Sequence, residues 1–365
     1  MKLFSRKKDA LVGIDLSASA VKLVELEKTR KGYRLKSMAV VPLPRDAIVE
    51  NTVIDSIAVS QALLDAIEQS GTSTKNAALA VSGNAVIIKV IEVVSSTEFQ
   101  LESQITFEAD QHVPFDIDDV YLDFQIIGAS DHDPQNMDVV LVACKREIVD
   151  DFQLVLSEAG LNTVCVDCAV FALENAVQET GAYQQDTTEL DAAEGIDGEA
   201  GEGAAYALVN VGANMININI LRDGQMAFVR DQFYGGQNLT ESIQKAHAVS
   251  FSAAEEMKKN NFNEIDANVI EEFYSNLSAE IGRSLDFYSA NNAEYPVQRI
   301  LLSGGCALIP DIDIEMNQRL GIETEVLNPF DGIEIPDRLF DEKKVREMGP
   351  MLMIPIGLAM RSFDQ

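Results

Sequence analysis

Three turns of small residues, each directly after an apolar strand, could bring backbone N–H groups close to an anion. They lie within residues 13–22, 209–216 and 301–307. Glycine, alanine and serine leave the backbone accessible, so several amides can approach one phosphate group. The first two turns close hairpins in opposite halves of the chain, which predicts that the two halves clasp phosphates between them.

Two charged side chains of the first hairpin fit the same chemistry. Lys22 lies seven residues after Asp15, on the returning strand, and can reach back to the phosphates as a point charge. Asp15 could orient water around Mg²⁺, which takes carboxylate and phosphate oxygens as ligands. Gly304 and Gly305, at the end of a third strand, could accept the nucleoside or the α-phosphate. The residues expected at this site are Asp15, Ser17, Ala18, Ser19, Lys22, Asn210, Gly212, Ala213, Asn214, Gly304, Gly305 and Cys306.

Composition and charge exclude several classes of function. The chain has 59 acidic and 28 basic residues among 365, a net charge of −31. Nucleic-acid phosphates and anionic lipid repel such a chain, because it has no visible basic patch to overcome the repulsion. At roughly 150 residues per domain, the length predicts about two domains.

The sequence also argues against export, membrane spanning and cysteine chemistry. No apolar run approaches the ~18 residues that span a bilayer, and the basic start has no apolar core of a signal peptide. Cys165 and Cys168 have a CxxC spacing, but no second pair or nearby histidine completes a zinc site. Their strand-to-helix context predicts buried thiols, and a cytoplasmic protein follows.

The elements that must position the three turns are predicted to be duplicated. Apolar runs at 10–16, 21–27 and 33–41 predict a three-stranded opening, and the spacing at 56–70 predicts a helix that stops at Gly71. The same opening recurs after residue 204, which predicts two α/β domains.

Two segments interrupt this duplication. A β-α-β-β-α order between residues 86 and 160 predicts a compact inserted unit. Residues 184–203 contain seven acidic residues and no basic or aromatic one, which predicts a solvated loop or linker.

These motifs together resemble the actin-like ATPase superfamily, and within it the PilM family of type IV pilus assembly. The resemblance covers nearly the whole chain and includes GIDLSASAVKLVEL, FEADQHVPFDIDDVYLDFQ and LLSGGCALIPDI. It implies an α/β, actin-like (ribonuclease H-like) duplicated two-domain fold with a small inserted α+β subdomain. It also implies ATP or ADP, with Mg²⁺, bound between the domains.

The domain boundaries follow from this resemblance and from the predicted elements. We expect actin-like domain 1 over residues 1–85 and 161–183, with the inserted subdomain over 86–160. The acidic linker at 184–203 then leads to actin-like domain 2 at 204–350. A C-terminal helix at 351–365 is expected to pack back on domain 1.

Departures from the family pattern put hydrolysis in doubt. Ser17 and Ala18 replace the usual Gly-Thr of the first loop, and Asn210 replaces the Asp of the second. Cys168 stands where the superfamily offers Gln or Glu to align a water molecule. We therefore expect nucleotide binding with slow or no hydrolysis, and Asp15 and Asn210 remain the only candidates for a catalytic role.

A segment after the second hairpin resembles one that lies near adenosine in FtsA-like proteins. It reads Ala-Glu-Glu-Met-Lys-Lys over 254–259. The resemblance implies that Glu256 and Lys259 lie near the base and ribose. The alternative is a solvated helix face with salt bridges. Arg230 and Asp231 are expected to form a structural ion pair at a strand end.

The resemblance also implies a protein partner, the N-terminal cytoplasmic tail of PilN. An extended apolar tail would dock beside the inserted subdomain. The candidate groove residues are Phe107, Val113, Pro114, Phe115, Tyr121 and Phe124. The alternative is that these residues form the core of the subdomain. A second copy of the chain, the PilO complex and the assembly ATPases are further candidate partners.

Function is therefore predicted as a nucleotide-binding scaffold, held at the inner face of the inner membrane through its protein partner. One alternative is an active ATPase or small-molecule phosphotransferase of the same fold, which Asn210 disfavours. Another is an FtsA-like filament former, which would need an amphipathic C-terminal helix after a linker. The chain instead ends in GLAMRSFDQ.

Overall fold

The computed structural model describes residues 10–130, 133–180 and 205–363. The acidic segment predicted as a linker, 184–203, lies outside the described residues. No helix in the described ranges is both long and apolar enough to cross a bilayer.

The first large sheet has six strands in the order β10-β6-β1-β2-β3-β16. Strands β1 to β3 are antiparallel neighbours, whereas β6 and β10 run parallel to β1 in the usual manner of crossover connections. The strands are β1 Leu11–Leu16, β2 Ala20–Thr29, β3 Gly32–Pro42, β6 Asn76–Val81, β10 Asn162–Cys168 and β16 Ile333–Glu334. The first half of the chain also contains the helices α1 Ser56–Ser70, α3 Arg146–Glu158 and α4 Ala169–Thr180.

Helix α1 shows how local sequence sets the element bounds. Asp55 caps its first turn by accepting from the amide of Ala58, and Gly71 ends it in the left-handed conformation at φ 65°. The helix predicted over 56–70 is confirmed.

The second large sheet repeats the first with five strands in the order β13-β12-β11-β14-β15. Strands β11 to β13 are antiparallel, and β14 and β15 run parallel to β11. These strands are β11 Ala205–Val211, β12 Ile216–Arg222, β13 Gln225–Gln232, β14 Val297–Ser303 and β15 Glu323–Val326. The duplicated opening predicted from the sequence is thus confirmed.

The helices of the second half cover this sheet and return to the first. They are α5 Gly236–His247, α6 Phe251–Asn260, α7 Ala267–Asn291, α8 Ile312–Leu320, α9 Glu342–Met348 and α10 Met353–Met360. Every residue of α10 is buried. An added Cβ at Gly13 of β1 would overlap the backbone of α10, and one at Gly357 of α10 would overlap the backbone of α4. Glycine at these two positions therefore lets the last helix lie directly on the first half of the molecule.

A third, three-stranded sheet in the order β7-β9-β8 lies between β6 and α3 in the sequence. Its strands are β7 Val86–Val94, β8 Val120–Ala129 and β9 Asn136–Lys145, and helix α2 is Glu98–His112. Leu101 and Ile105 of α2 pack with Ile91, Val139 and Leu141 of the sheet. The remaining two strands, β4 Ile48–Val49 and β5 Thr52–Val53, form a short ribbon.

Candidate functional site

The carboxyl ends of the parallel strands in the two large sheets face each other. Gly83, just after β6 of the first sheet, donates its backbone N–H to Oδ2 of Asp231 on β13, at 2.6 Å. Asp231 in turn lies beside the start of β12, next to the carboxyl end of β11. Each large sheet with its helices forms a lobe, and we call the region between the two lobes, where both sheets end, the cleft. The carboxyl ends of the strands are the usual place for ligands in α/β folds.

The first hairpin places its two charged side chains against each other. Asp15 and Lys22 are cross-strand partners in β1 and β2. The ammonium of Lys22 donates to Oδ2 of Asp15 at 2.7 Å, and each residue is only 8% exposed. Lys22 is thus neutralised by Asp15, while an ammonium group retains two further N–H donors.

The turn between these strands is short and leaves amides available. Both the backbone N–H and the hydroxyl of Ser17 donate to the carbonyl of Ala20, which closes the turn. Within the described ranges, no protein atom accepts a hydrogen bond from the amides of Ala18 and Ser19. These two N–H groups could contact an anion.

The second hairpin reproduces the first with neutral side chains. Asn210 and Asn217 are cross-strand partners in β11 and β12, and Nδ2 of Asn210 donates to Oδ1 of Asn217 at 3.0 Å. The turn is closed by the N–H of Gly212, which donates to the carbonyl of Met215 at 2.8 Å. Ala213 and Asn214 sit at its tip.

Glycines bring the other loops against this second turn. An added Cβ at Gly235 would lie 2.5 Å from the carbonyl oxygen of Gly212, so α5 begins in direct contact with the turn. Gly304 has φ +92°, and an added Cβ there would overlap the carbonyl of Val211. By contrast, an added Cβ at Gly305 meets no atom within 4 Å. Gly305 is therefore the open residue of the third turn.

Cys306 supports the loops and is not a reactive thiol. Its Sγ donates to the carbonyl of Gly212 at 3.1 Å, and burial raises the pKa of the thiol to about 11. A neutral, buried thiol holds the third turn on the second.

The helix expected near adenosine presents a different pair of charges from the one predicted. Glu256 is paired with Asn260 on the surface, and Lys259 is largely exposed, with Glu255 as its partner at 3.2 Å. Glu255 and Lys258 are instead in contact with each other, and Nζ of Lys258 donates to the carbonyl of Gly236 at 3.0 Å. The structure thus places Glu255 and Lys258, which sequence reasoning passed over, beside the second turn.

Asp231 and Asn217 were also missed as site residues. The expected ion pair of Arg230 with Asp231 is wrong, because adjacent residues of a strand point to opposite faces. Arg230 lies over the ring of Phe287, whereas Asp231 accepts from Gly83 and from Nδ2 of Asn217 at 2.8 Å. Asn217 could have been found from the sequence, since it follows Asn210 by seven residues as Lys22 follows Asp15.

The residues present fit phosphate groups better than a protein-bound magnesium ion. No group of three Asp, Glu, His or Cys side chains that could hold a metal occurs in the part of the chain that the structure describes. Asp15, the predicted ligand, is already bonded to Lys22.

Cys168 ends β10 beside the cleft and is 6% exposed. Burial raises the pKa of its thiol well above the ordinary value, with the neighbouring Asp167 adding to the effect. Cys165 is only half-buried, so the prediction of two buried thiols is wrong for Cys165, which follows an irregularity in the edge strand. A neutral thiol at position 168 cannot act as a base toward water.

The aromatic residues predicted to line a partner groove are divided between different surroundings. Val113 is buried, and Phe115 and Phe124 pack against the core of the three-stranded sheet. Pro114 is exposed, and Phe107 on α2 is 72% exposed. Tyr121 lies on the opposite face, where its hydroxyl donates to Asp150.

That opposite face of the three-stranded sheet, the one that α2 does not cover, carries an apolar strip that we call the outer strip. Cross-strand pairing brings together its residues from β7 and β9, of which Val90 is 42% exposed and the others are half-buried. The outer strip consists of Ile88, Val90, Val140 and Val142, with Tyr121 beside it.

Solved structures of other proteins match this chain to different extents. A solved PilM-PilN type IV pilus biogenesis complex matches with a TM-score of 0.83 and 24% identity, covering 98% of this chain and 99% of that chain. EutJ from Carboxydothermus hydrogenoformans has a TM-score of 0.49 and 16% identity, covering 96% and 89%. MreB 5 of Spiroplasma citri bound to AMPPNP has 0.48 and 12%, covering 95% and 94%.

The expected fold class, an actin-like duplicated α/β fold, is confirmed. The family model described as type IV pilus assembly protein PilM matches residues 13–363. The chain therefore belongs to the PilM family of type IV pilus assembly proteins.

Proposed function

We propose that this protein is a scaffold of type IV pilus assembly that binds ATP or ADP in the cleft between its lobes. The observation that carries the proposal is the hydrogen bond from the N–H of Gly83 to the carboxylate of Asp231, because it brings the carboxyl ends of both sheets to one cleft. The turns of small residues, at the ends of β1, β11 and β14, lie at those carboxyl ends.

Backbone amides are the main phosphate ligands in this proposal. Ala18 and Ser19 offer them from the first lobe, and Ala213 and Asn214 occupy the same place in the second. Lys22 contributes a local positive charge, although its pairing with Asp15 means that it adds less attraction than a free lysine would. The nucleoside would lie towards Gly305, Glu255 and Lys258, which gather beside the second turn.

Hydrolysis is proposed to be slow or absent. The side chain that should orient water is replaced by the neutral thiol of Cys168, and Asn210 brings no charge to the second hairpin. Bound nucleotide would then stabilise one conformation of the protein without being hydrolysed as a source of energy.

The proposed partner is the N-terminal cytoplasmic tail of PilN, since a solved relative is a PilM-PilN complex. The outer strip offers an apolar surface beside the first lobe, because Cys144 at its end belongs to the core under β1. An extended apolar tail could lie along it. This attachment would place the protein at the inner face of the inner membrane.

Thermal unfolding with and without nucleotide tests the proposal. A ligand that binds only the native state raises the melting temperature in a concentration-dependent way. We expect ATP and ADP to raise it, with Gly305→Val reducing the effect by blocking the open residue of the third turn. An unchanged melting curve at millimolar ATP would contradict the nucleotide part of the proposal.

A further inference from the structure

A continuous chain of hydrogen bonds, which we call the relay, runs from the third turn through the second and into the first lobe. The hydroxyl of Ser303 donates to Oδ1 of Asn210 at 3.4 Å, and Nδ2 of Asn210 donates to Oδ1 of Asn217 at 3.0 Å. Nδ2 of Asn217 donates to Oδ1 of Asp231 at 2.8 Å, and Oδ2 of Asp231 accepts from the N–H of Gly83 at 2.6 Å. The relay therefore connects two candidate phosphate turns with the opposite lobe.

The carboxylate of Asp231 gives the relay its direction. An ionised carboxylate only accepts hydrogen bonds, so Asn217 must turn its NH₂ group towards it. The oxygen of Asn217 then faces Asn210, which must donate its own NH₂ group in return. The oxygen of Asn210 consequently points to Ser303, so the orientation of the amide at the second turn is set by Asp231.

Burial makes these orientations costly to change one at a time. Asn210 and Asn217 are 9% and 5% exposed, so water cannot readily replace a lost partner. Leaving one buried donor or acceptor unpaired costs its full desolvation penalty. A change at either end of the relay is therefore passed along it.

Gly83 is the place where the chain leaves the first sheet for the three-stranded sheet. Its φ of +77° is in the left-handed region, and the side chains of Met215 and Asn51 lie within 3.0 Å of where a Cβ would be. Three residues later, β7 begins. The bond from Asp231 thus fixes the root of the inserted sheet from the opposite lobe.

We propose that Asp231 is a positioning residue that couples the phosphate turns to the three-stranded sheet. This inference rests on the nucleotide binding proposed above. A phosphate that engages the second turn changes the bonds that Asn210 and Asn217 offer, and with them the restraint on Gly83. By linkage, a ligand on the sheet must change nucleotide affinity by the same factor.

Hydrogen exchange of the full chain, measured with and without ATP and Mg²⁺, tests this coupling. In the wild type, ATP should slow exchange in peptides covering residues 82–94. Asp231→Asn keeps the shape but replaces one acceptor oxygen by a donor group, so exchange there should rise about tenfold without ATP. The further slowing caused by ATP should be largely lost.

A second variant cuts the relay at a different link. Asn217→Ala keeps the hydrogen bond from Gly83 to Asp231 but leaves Oδ1 of Asp231 without its donor. Exchange without ATP should therefore rise less than in Asp231→Asn, while the ATP effect at 82–94 disappears. If Asp231 had a purely structural role, Asn217→Ala would not abolish the effect of ATP on exchange at 82–94. The matched control is Asp286→Asn, which removes the same charge from an exposed position of the second lobe and should change neither quantity.

The outcomes separate the coupling from nucleotide binding itself. If ATP raises the melting temperature of the wild type but leaves 82–94 unaffected, the coupling is overturned and nucleotide binding stands. The coupling is also overturned if Asn217→Ala keeps the ATP effect, because the packing of Met215 on Gly83 then suffices. If the wild type binds no ATP, both proposals fail. If Asp231→Asn fails to fold, the effect of ATP on exchange at 82–94 in the wild type and in Asn217→Ala still tests the coupling.

Discussion

Asp15 and Lys22 face each other across the first two strands, with the ammonium 2.7 Å from a carboxylate oxygen and both residues buried. Asn210 and Asn217 hold the same two places in the second lobe and are bonded at 3.0 Å. The duplicated hairpins thus carry an ion pair in one lobe and an amide pair in the other. Each pair is neutral as a unit, so the proposed binding of phosphate would depend chiefly on backbone amides.

We expect the ion pair of Asp15 and Lys22 to behave as a coupled unit in unfolding. Lys22→Met leaves the carboxylate buried without its partner, which should lower the free energy of unfolding by about 3–5 kcal/mol. Asp15→Asn should cost a similar amount, because it leaves the ammonium of Lys22 buried without its partner. The double variant, with both substitutions, buries no charge. Its loss of unfolding free energy should therefore be well below the sum of the two single losses. Urea denaturation of all four proteins measures this, and additive losses would contradict it.

The first hairpin could be predicted from the sequence because its information is local. The small residues at 17–20 and the seven-residue spacing of Asp15 and Lys22 both lie within one hairpin. The register of helix α6 is harder, since doublets of Glu and Lys at 255–256 and 258–259 leave its inward face undecided. In the structure Glu255 and Lys258 are half-buried and paired with each other, whereas Glu256 and Lys259 are exposed.

The contact between Gly83 and Asp231 could not be predicted from the chain. The two residues are separated by 148 positions, and their approach depends on how two separately folded sheets pack. The expected ion pair of Arg230 and Asp231 failed for a related reason. That prediction relied on the adjacency of Arg230 and Asp231 in the sequence, although adjacent residues of a strand point to opposite faces of the sheet.

The buried carboxylate of Glu25 predicts a loss of stability in acid. Burial opposes its charge, but the hydrogen bonds from Lys36, Thr74 and Thr72 outweigh this and lower the pKa below 4.5. A lowered folded pKa means that the stabilisation is fully present above about pH 4.5. It should be lost as the pH falls through the lower value of the folded state.

Glu25→Gln removes this pH dependence of stability. It also places an uncharged amide, in place of the carboxylate, beside the ammonium of Lys36. We expect it to lower the free energy of unfolding by about 3 kcal/mol at neutral pH, with a smaller difference from the wild type in acid. The matched control is Glu27→Gln, an exposed position two residues along the same strand. Denaturant titrations between pH 3 and 7 give both curves. A constant difference across that range would show that Glu25 is not the group responsible.

Two adjacent glycines of the third turn should respond differently to alanine. Gly304→Ala forces a left-handed φ on alanine and a clash with Val211, which should cost about 2–5 kcal/mol of stability. Gly305→Ala meets open space and should leave the melting temperature within a degree or two of the wild type. Calorimetry of the two variants compares them directly. Equal destabilisation would show that the third turn is not held as the structure indicates.

Hydrolysis should remain at background. Cys168 is buried and neutral, and Asn210 is committed to Asn217, so neither can activate water. Phosphate release by the wild type should therefore match that of Lys22→Met purified in the same way, which serves as the control for contaminating ATPases. Clear release by the wild type alone would make the protein an ATPase and would contradict the scaffold proposal.

Binding of a PilN-tail peptide should depend on the outer strip and only weakly on salt. Val90 is 42% exposed in the middle of that strip, so Val90→Asp places a charge where an apolar anchor would be buried. Loss of such an anchor should weaken binding by about tenfold or more. Phe107→Asp is the matched comparison, because Phe107 is exposed on α2 at the other face of the same sheet and was also a candidate for the groove. Titrations of labelled peptide at low and high salt give the affinities. A loss confined to Phe107→Asp would move the docking surface to α2, and a steep salt dependence would replace apolar anchoring by charge.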